Sequence, residues 1–290
     1  MMGPDSNNPQ CRLDRKAVSV GKIHIGTQGW NYDDWVGAFY PRGSRASEYL
    51  DLYARIFDTV EIDSSFYAIP SEASIKSWKN RAPAGFTYSL KLPQQITHEK
   101  YLHDCESVLD QFCERIRGLE EKLAMVLIQL PPDFSTREWQ ALEKFIGILP
   151  SDIRFAVEFR DQGWMIEPML DRVLGLLSKY EVALALVEGE WIQRGLWFQT
   201  LDRPTSPLAY LRWMGPRTLT NFSHVQLDRD RELKEWTEGI RFLSQRVESV
   251  YGYFNNHFQG HSPASANRFK QMIGQPIIEP ESLITQPSLF

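Results

Sequence analysis

The sequence predicts a single (β/α)8 barrel of the TIM type, and three observations carry that expectation. Short strand-like segments and helical segments alternate eight times along the chain. The 290 residues match the usual size of one such barrel. No Gly-x-Gly-x-x-Gly follows the first strand and no Walker loop occurs, so the marks of a nucleotide-cofactor fold are missing. A doubly wound open sheet has the same alternation and is the architectural alternative.

Taken in order, residues 1–21 are polar and rich in Asn and Pro, which suits a flexible N-terminal arm, and the barrel is expected over residues 22–273. In the first strand Ile23, Ile25 and Thr27 alternate with His24, Gly26 and Gln28, and an aromatic loop and a helix over residues 47–57 follow. The second strand places Val60 and Ile62 on one face and Glu61 and Asp63 on the other. Ser71 is the expected cap of the next helix. A third strand spans residues 86–92, a helix 105–119, a fourth strand 124–130 and a helix 136–149. Strands at 153–159 and 182–187 flank a helix at 168–180, and residues 188–207 form a long connection. The seventh strand (208–213), a helix (231–247), the eighth strand (249–254) and a last helix (264–273) complete the count. Residues 274–290 are expected to be an extended C-terminal tail.

Composition is that of a globular protein, 42% hydrophobic and 24% charged, without an apolar run of membrane-spanning length. The net charge of −5 argues against a surface devoted to nucleic acid, while leaving room for a local basic cleft. Cys11, Cys105 and Cys113 form an odd set. The last two sit about 12 Å apart by helical rise, too far for a disulfide. With no charged-then-apolar leader, a reduced, cytoplasmic protein is expected.

In a parallel barrel, inward polar residues at the carboxyl ends of the strands gather at one mouth, where barrel active sites lie. Here they are Gln28, Glu61 and Asp63, Lys91, Gln129, Glu158 and Arg160, Arg212, and Asn255, with almost nothing from the sixth strand. The adjoining loops add Trp30, Phe66, Tyr67, His98 and Trp164 as walls on which a ring or base would stack. An ion-pair network that merely plugs the barrel is the plainer alternative.

Several motifs carry a family likeness. Ile25-Gly26-Thr27-Gln28-Gly29-Trp30, the run from Phe57-Asp58-Thr59 through Glu61-Ile62-Asp63 to Phe66-Tyr67, Gln129-Leu130-Pro131-Pro132, Glu158-Phe159-Arg160 and Tyr253-Phe254-Asn255-Asn256 resemble the YecE-like family, a domain of unknown function. The resemblance implies a TIM-type barrel and a site location, and no reaction. The family usually has Asn where this chain has Asp63. It usually has His after the fifth-strand Arg, where this chain reads Asp161-Gln162-Gly163-Trp164, and Arg-Leu-His-Gly where this chain reads Arg212-Trp213-Met214-Gly215.

Three functions follow as expectations. In the first, Lys91, Arg160 and Arg212 clamp an anionic, phosphate-bearing ligand, with nucleic-acid processing as one version. Glu61, Glu158 and Asp63 then serve as base or as ligands of a single divalent ion, and Gln129, Asn255, Trp30, Tyr67, His98 and Trp164 orient the substrate. A multinuclear metal cluster, as in the loosely similar barrel of endonuclease IV, needs more converging histidines than His98, His257 and His261 offer. In the second, Glu61 and Glu158 act as a glycosidase pair, which three nearby cations oppose by holding both acids ionised. In the third the chain is a binding module: its end, Gln286-Pro287-Ser288-Leu289-Phe290, resembles the short peptide that docks bacterial replication and repair proteins on the sliding clamp through Gln286, Leu289 and Phe290. The alternative for this tail is that Leu289 and Phe290 fold back on the barrel.

Overall fold

The computed structural model describes residues 20–283. Eight parallel strands, β1 (Lys22–Gln28), β2 (Thr59–Ile62), β3 (Thr87–Lys91), β4 (Leu123–Gln129), β5 (Phe155–Glu158), β6 (Ala183–Glu188), β7 (Leu208–Trp213) and β8 (Ser249–Phe254), pair in chain order, and β1 closes on β8. The expected (β/α)8 barrel is therefore the observed one. The helices are α1 (Tyr49–Tyr53), α2 (Glu72–Arg81), α3 (Glu106–Ile116), α4 (Trp139–Gly147), α5 (Met169–Lys179), α6 (Arg194–Phe198), α7 (Asp230–Ser244), α8 (Asn256–Gln259) and α9 (Ser262–Met272).

Strand alternation sorts the side chains. Ile25, Val60, Ile62, Leu90, Val126, Ile128 and Val157 face the helices and join the main core. The inner cluster holds Met125, Leu127, Ala156, Ala183, Ala185, Tyr210, Tyr251 and Tyr253. The three alanines on β5 and β6 leave volume that the long side chains of β7 and β8 fill. Small size is thus what β6 contributes to the interior. Its terminal Glu188 is buried, but it pairs with Arg194 (2.6 and 2.9 Å) and accepts from the indole of Trp236 (2.7 Å). Those partners belong to the helix layer.

Local chemistry sets the boundaries. The Ser71 hydroxyl accepts from the Ser74 N–H at 3.0 Å and caps α2, as expected. The helix anticipated over 47–57 shortens to α1, because Ala54 to Ile56 continue only as turns toward β2. The 188–207 connection contains α6, whose Trp197 is buried. Cys105 stands at the cap of α3 and Cys113 within it; both are buried free thiols.

After α9 the chain follows the barrel. The Gln275 side chain donates to the Ile23 carbonyl at 2.7 Å, and Leu283 is buried in the main core. The proposed clamp residues Gln286, Leu289 and Phe290, like the arm up to residue 19 with Cys11, lie outside the described residues.

Candidate functional site

The strand register brings the polar ends together. Gln28 pairs with Glu61, and Gln129 with Glu158, so four of the expected residues start as neighbours. Across the interior, Arg212 on β7 meets β2 and β5 at once. Its Nη2 and Nε lie 2.7 and 3.0 Å from the two oxygens of Glu61, and its Nη1 lies 2.6 Å from Glu158 Oε2. Glu61 Oε2 also accepts from the Tyr210 hydroxyl at 2.7 Å, and Glu158 Oε1 accepts from Arg160 Nε at 2.8 Å.

This arrangement alters two expectations. Arg212 has Nε and both terminal nitrogens engaged by carboxylates and is 2% exposed, so it is the keystone of the network and is no open arm of a clamp. Every oxygen of Glu61 and Glu158 accepts at least one hydrogen bond from within the network. The plainer alternative of an internal ion network therefore describes this deeper half of the ring.

The electrostatics follow from the same contacts. Burial works against the ionised form of Glu158, but the Arg212 and Arg160 guanidiniums outweigh it and hold the pKa down to about 2. Burial raises the pKa of Glu61, opposed by the Arg212 fork and then reinforced by Asp63. Three donors aimed at its two oxygens nevertheless suit the carboxylate form.

The outer half is less tightly paired. Lys91 Nζ lies 3.5 Å from Asp63 Oδ1 and 4.2 Å from the centre of the Phe66 ring, and among the described residues it forms no hydrogen bond. Burial lowers its pKa, with Asp63 acting against the shift and Arg212 adding to it. Asp63 Oδ1 is itself buried without a hydrogen-bond partner and lies 3.8 Å from Arg212 Nη2. The two terminal nitrogens of Arg160 likewise have no hydrogen bond among the described residues, while its guanidinium carbon lies 5.8 Å from the Trp191 ring centre. His98, on a single π-helical turn (Gln95–Glu99), packs edge-on against Phe66 and lies 3.5 Å from Gln129. Burial, then Arg160 and Lys91, depress its pKa to about 4.

The remaining expected residues divide. Asn255 donates to Gln28 at 2.8 Å and caps α8 through His257 N–H, so it ties the rim together. Tyr67 is 73% exposed beside Phe66. Trp30 packs edge-on against Trp78 and Tyr88 on the helix side of the wall. Trp164 is fully buried, stacked between Phe134 and Phe159, and donates to the Phe134 carbonyl. Neither tryptophan stands where a ligand in the mouth would stack, since alternation sends Phe159 and Tyr88 to the helix layer. Sequence reasoning missed Tyr210 and Trp191. Tyr210 was legible as the residue two before Arg212, on the same face of β7; Trp191 lies in a loop whose course no local pattern gives.

Among the described residues no group of three or more His, Cys, Asp or Glu side chains is placed to hold a metal ion, and no helix is long and apolar enough to cross a membrane. A cavity of about 880 Å³ runs between α2 and α3, outside the barrel, lined by Ile69, Ile75, Lys79, Gln111, Arg115 and others.

Comparison with known proteins places this geometry. A family described as a protein of unknown function, DUF72, matches residues 24–287. The UPF0759 protein YunF of Bacillus subtilis is 27% identical over 269 residues, covering 87% of this chain and 93% of YunF. The UPF0759 protein YecE of Escherichia coli K12 is 31% identical over 138 residues, which is 48% of either chain. Among solved structures, a DUF72 family protein of Thermotoga maritima aligns with a TM-score of 0.72 at 27% identity, over 88% of this chain and 100% of that one. Another from Enterococcus faecalis aligns with a TM-score of 0.69 at 20% identity, over 88% and 99%, and speaks for the fold alone.

Proposed function

The chain belongs to the DUF72 family, whose activity is unknown, and from the charge arrangement inside its barrel we propose that the mouth binds a small anionic, phosphate-bearing ligand through Arg160 and Lys91. One observation carries this reading: among the described residues these two cations keep N–H groups without hydrogen-bond partners, while each of the three nitrogens of Arg212 behind them already bonds a carboxylate. Neither Lys91 Nζ nor the terminal nitrogens of Arg160 are among the fully buried unpartnered atoms, so these donors reach the mouth, where an incoming anion would supply charge-assisted acceptors. Gln129 and neutral His98 border the same space and would orient the ligand. Nucleic-acid processing is the version in which that phosphate is part of a strand and exposed Tyr67 and Trp191 flank it.

The glycosidase reading is weaker: burial raises the pKa of Glu61, but its two oxygens accept three hydrogen bonds from Arg212 and Tyr210 that favour the carboxylate, and Glu158 is held near 2 between two arginines. Docking on a sliding clamp through Gln286, Leu289 and Phe290 remains a separate proposal resting on the sequence of the tail. A pull-down of full-length and 1–285 protein with a clamp tests it, and tail-independent capture would refute it.

Titration calorimetry with inorganic phosphate, a mononucleotide and a short single strand tests the main proposal. Wild type should bind at least one of them, and Arg160→Ala should lose the binding while keeping its circular dichroism spectrum. Equal affinity in both proteins would end it.

A further inference from the structure

Lys91 stands apart from the other interior cations. Its side chain is one-tenth exposed, its ammonium has no hydrogen bond among the described residues, and its ion-pair partner is a buried carboxylate oxygen that also lacks one, Asp63 Oδ1 at 3.5 Å. The Phe66 face covers one side and the Arg212 guanidinium adds like charge from below. An amine that is desolvated, beside a cation and a carboxylate oxygen that accepts no hydrogen bond has the setting in which lysines act as nucleophiles toward carbonyls.

We propose that Lys91 captures a carbonyl-bearing anion as an imine, with Asp63 moving the protons and Arg160 holding the anionic end. Asp63 takes one proton from the ammonium, and the freed nitrogen pair attacks the carbonyl carbon. The C–N bond forms as the C=O electron pair moves to oxygen. Asp63 returns its proton to that oxygen, which leaves as water with a second proton from nitrogen. The net change is R–NH3⁺ plus a carbonyl giving R–NH⁺=C and one water, so no oxidant or reductant is needed. Burial, which weakens the hold of Lys91 on its third proton, favours the first step. The placement of the anion rests on the preceding proposal; the nucleophile does not.

The experiment is reductive trapping of the full chain with cyanoborohydride and, separately, pyruvate, dihydroxyacetone phosphate and neutral dihydroxyacetone, followed by intact mass and peptide mapping. The expected result is one adduct per chain, on Lys91, formed at least about tenfold faster with an anionic carbonyl than with the neutral one. Lys91→Arg keeps the charge and should give none. Arg160→Ala should keep the adduct but lose the preference for anions. An equal spread over surface lysines, an unchanged adduct in Lys91→Arg, or no adduct with any of the three carbonyls would overturn the proposal. Phosphate binding without an adduct would remove the imine alone, whereas an adduct without anion preference would remove only the anion site.

Discussion

Arg212 meets Glu61 edge to edge, with Nη2 2.7 Å from Oε1 and Nε 3.0 Å from Oε2, and both side chains are almost wholly buried. Removing one member of such a pair leaves a charge without a partner in low dielectric, at a cost of about 3–5 kcal/mol. Arg212→Met is therefore expected to lose that much stability in urea denaturation. The double variant Arg212→Met with Glu61→Gln should lose less than the single, since the orphaned charge goes with it. If Arg212→Met were as stable as wild type, the network would not be the keystone of the interior.

Stability should also fall in acid through Glu158. Its ordinary pKa is 4.5 and its folded value about 2, so between these the unfolded chain binds a proton that the native protein does not. Its contribution is complete above pH 4.5 and is lost as pH falls toward 2, a change of order 3 kcal/mol. Glu61, whose pKa is raised, acts in the opposite sense and only above its ordinary 4.5, so the two windows do not overlap. Urea midpoints measured from pH 5 to pH 2 should drop steeply for wild type and more gently for Glu158→Gln. Parallel curves would show that Glu158 is not held ionised.

The barrel was legible because alternation and segment count are local properties, and Gln28, Glu61, Lys91, Glu158 and Arg212 all fall at strand ends where period two fixes their direction. Which cation pairs with which acid is not local. Ala156, Ala183 and Ala185 on the neighbouring strands β5 and β6 leave interior space beside β7, from which Arg212 reaches β2 and β5, and small side chains carry no sign of what fills the volume beside them. Loop aromatics were the least legible: Trp164 and Trp30 have the composition of a stacking wall, yet tertiary packing turned both into the helix layer.

Gly215, which follows β7 in the run Arg212-Trp213-Met214-Gly215, marks a close backbone crossing. A Cβ there would lie 2.0 Å from the His257 carbonyl oxygen, so the loop or α8 would have to move. Gly215→Ala should cost about 3 kcal/mol or more. Gly175, exposed within α5 with nothing near its Cβ position, is the control, and Gly175→Ala should stabilise by about 0.5–1 kcal/mol. Thermal melts of the two variants should move in opposite directions; a shared direction would contradict the crossing.

His98 should remain neutral through the physiological range. With its pKa near 4, NMR of the imidazole should show no titration between pH 5.5 and 8. Arg160→Ala removes the larger of the two repelling cations and should move the midpoint upward. A wild-type midpoint at the ordinary 6.5 would mean that the ring is neither desolvated nor faced by the two cations.

Asp63 stands where the family resemblance leads to the expectation of Asn. The interior carries Glu61, Asp63 and Glu158 against Lys91, Arg160 and Arg212, so its charges cancel, and Asp63→Asn would leave one positive charge in excess. The side chain is 34% exposed and its Oδ1 makes no hydrogen bond, so the fold loses little by the change and the melting temperature should hardly move. Lys91 and Arg212 would lose the partner at 3.5 and 3.8 Å, and an incoming anion would no longer meet its repulsion. With screening through the exposed side, that is worth about 1 kcal/mol, or roughly fivefold tighter phosphate binding at low salt, fading as salt rises. Imine trapping should slow in the same variant, because the amide cannot carry the proton. Weaker phosphate binding in Asp63→Asn would instead make the carboxylate part of the ligand's own contacts, through a bridging cation, and would reverse the sign of its role.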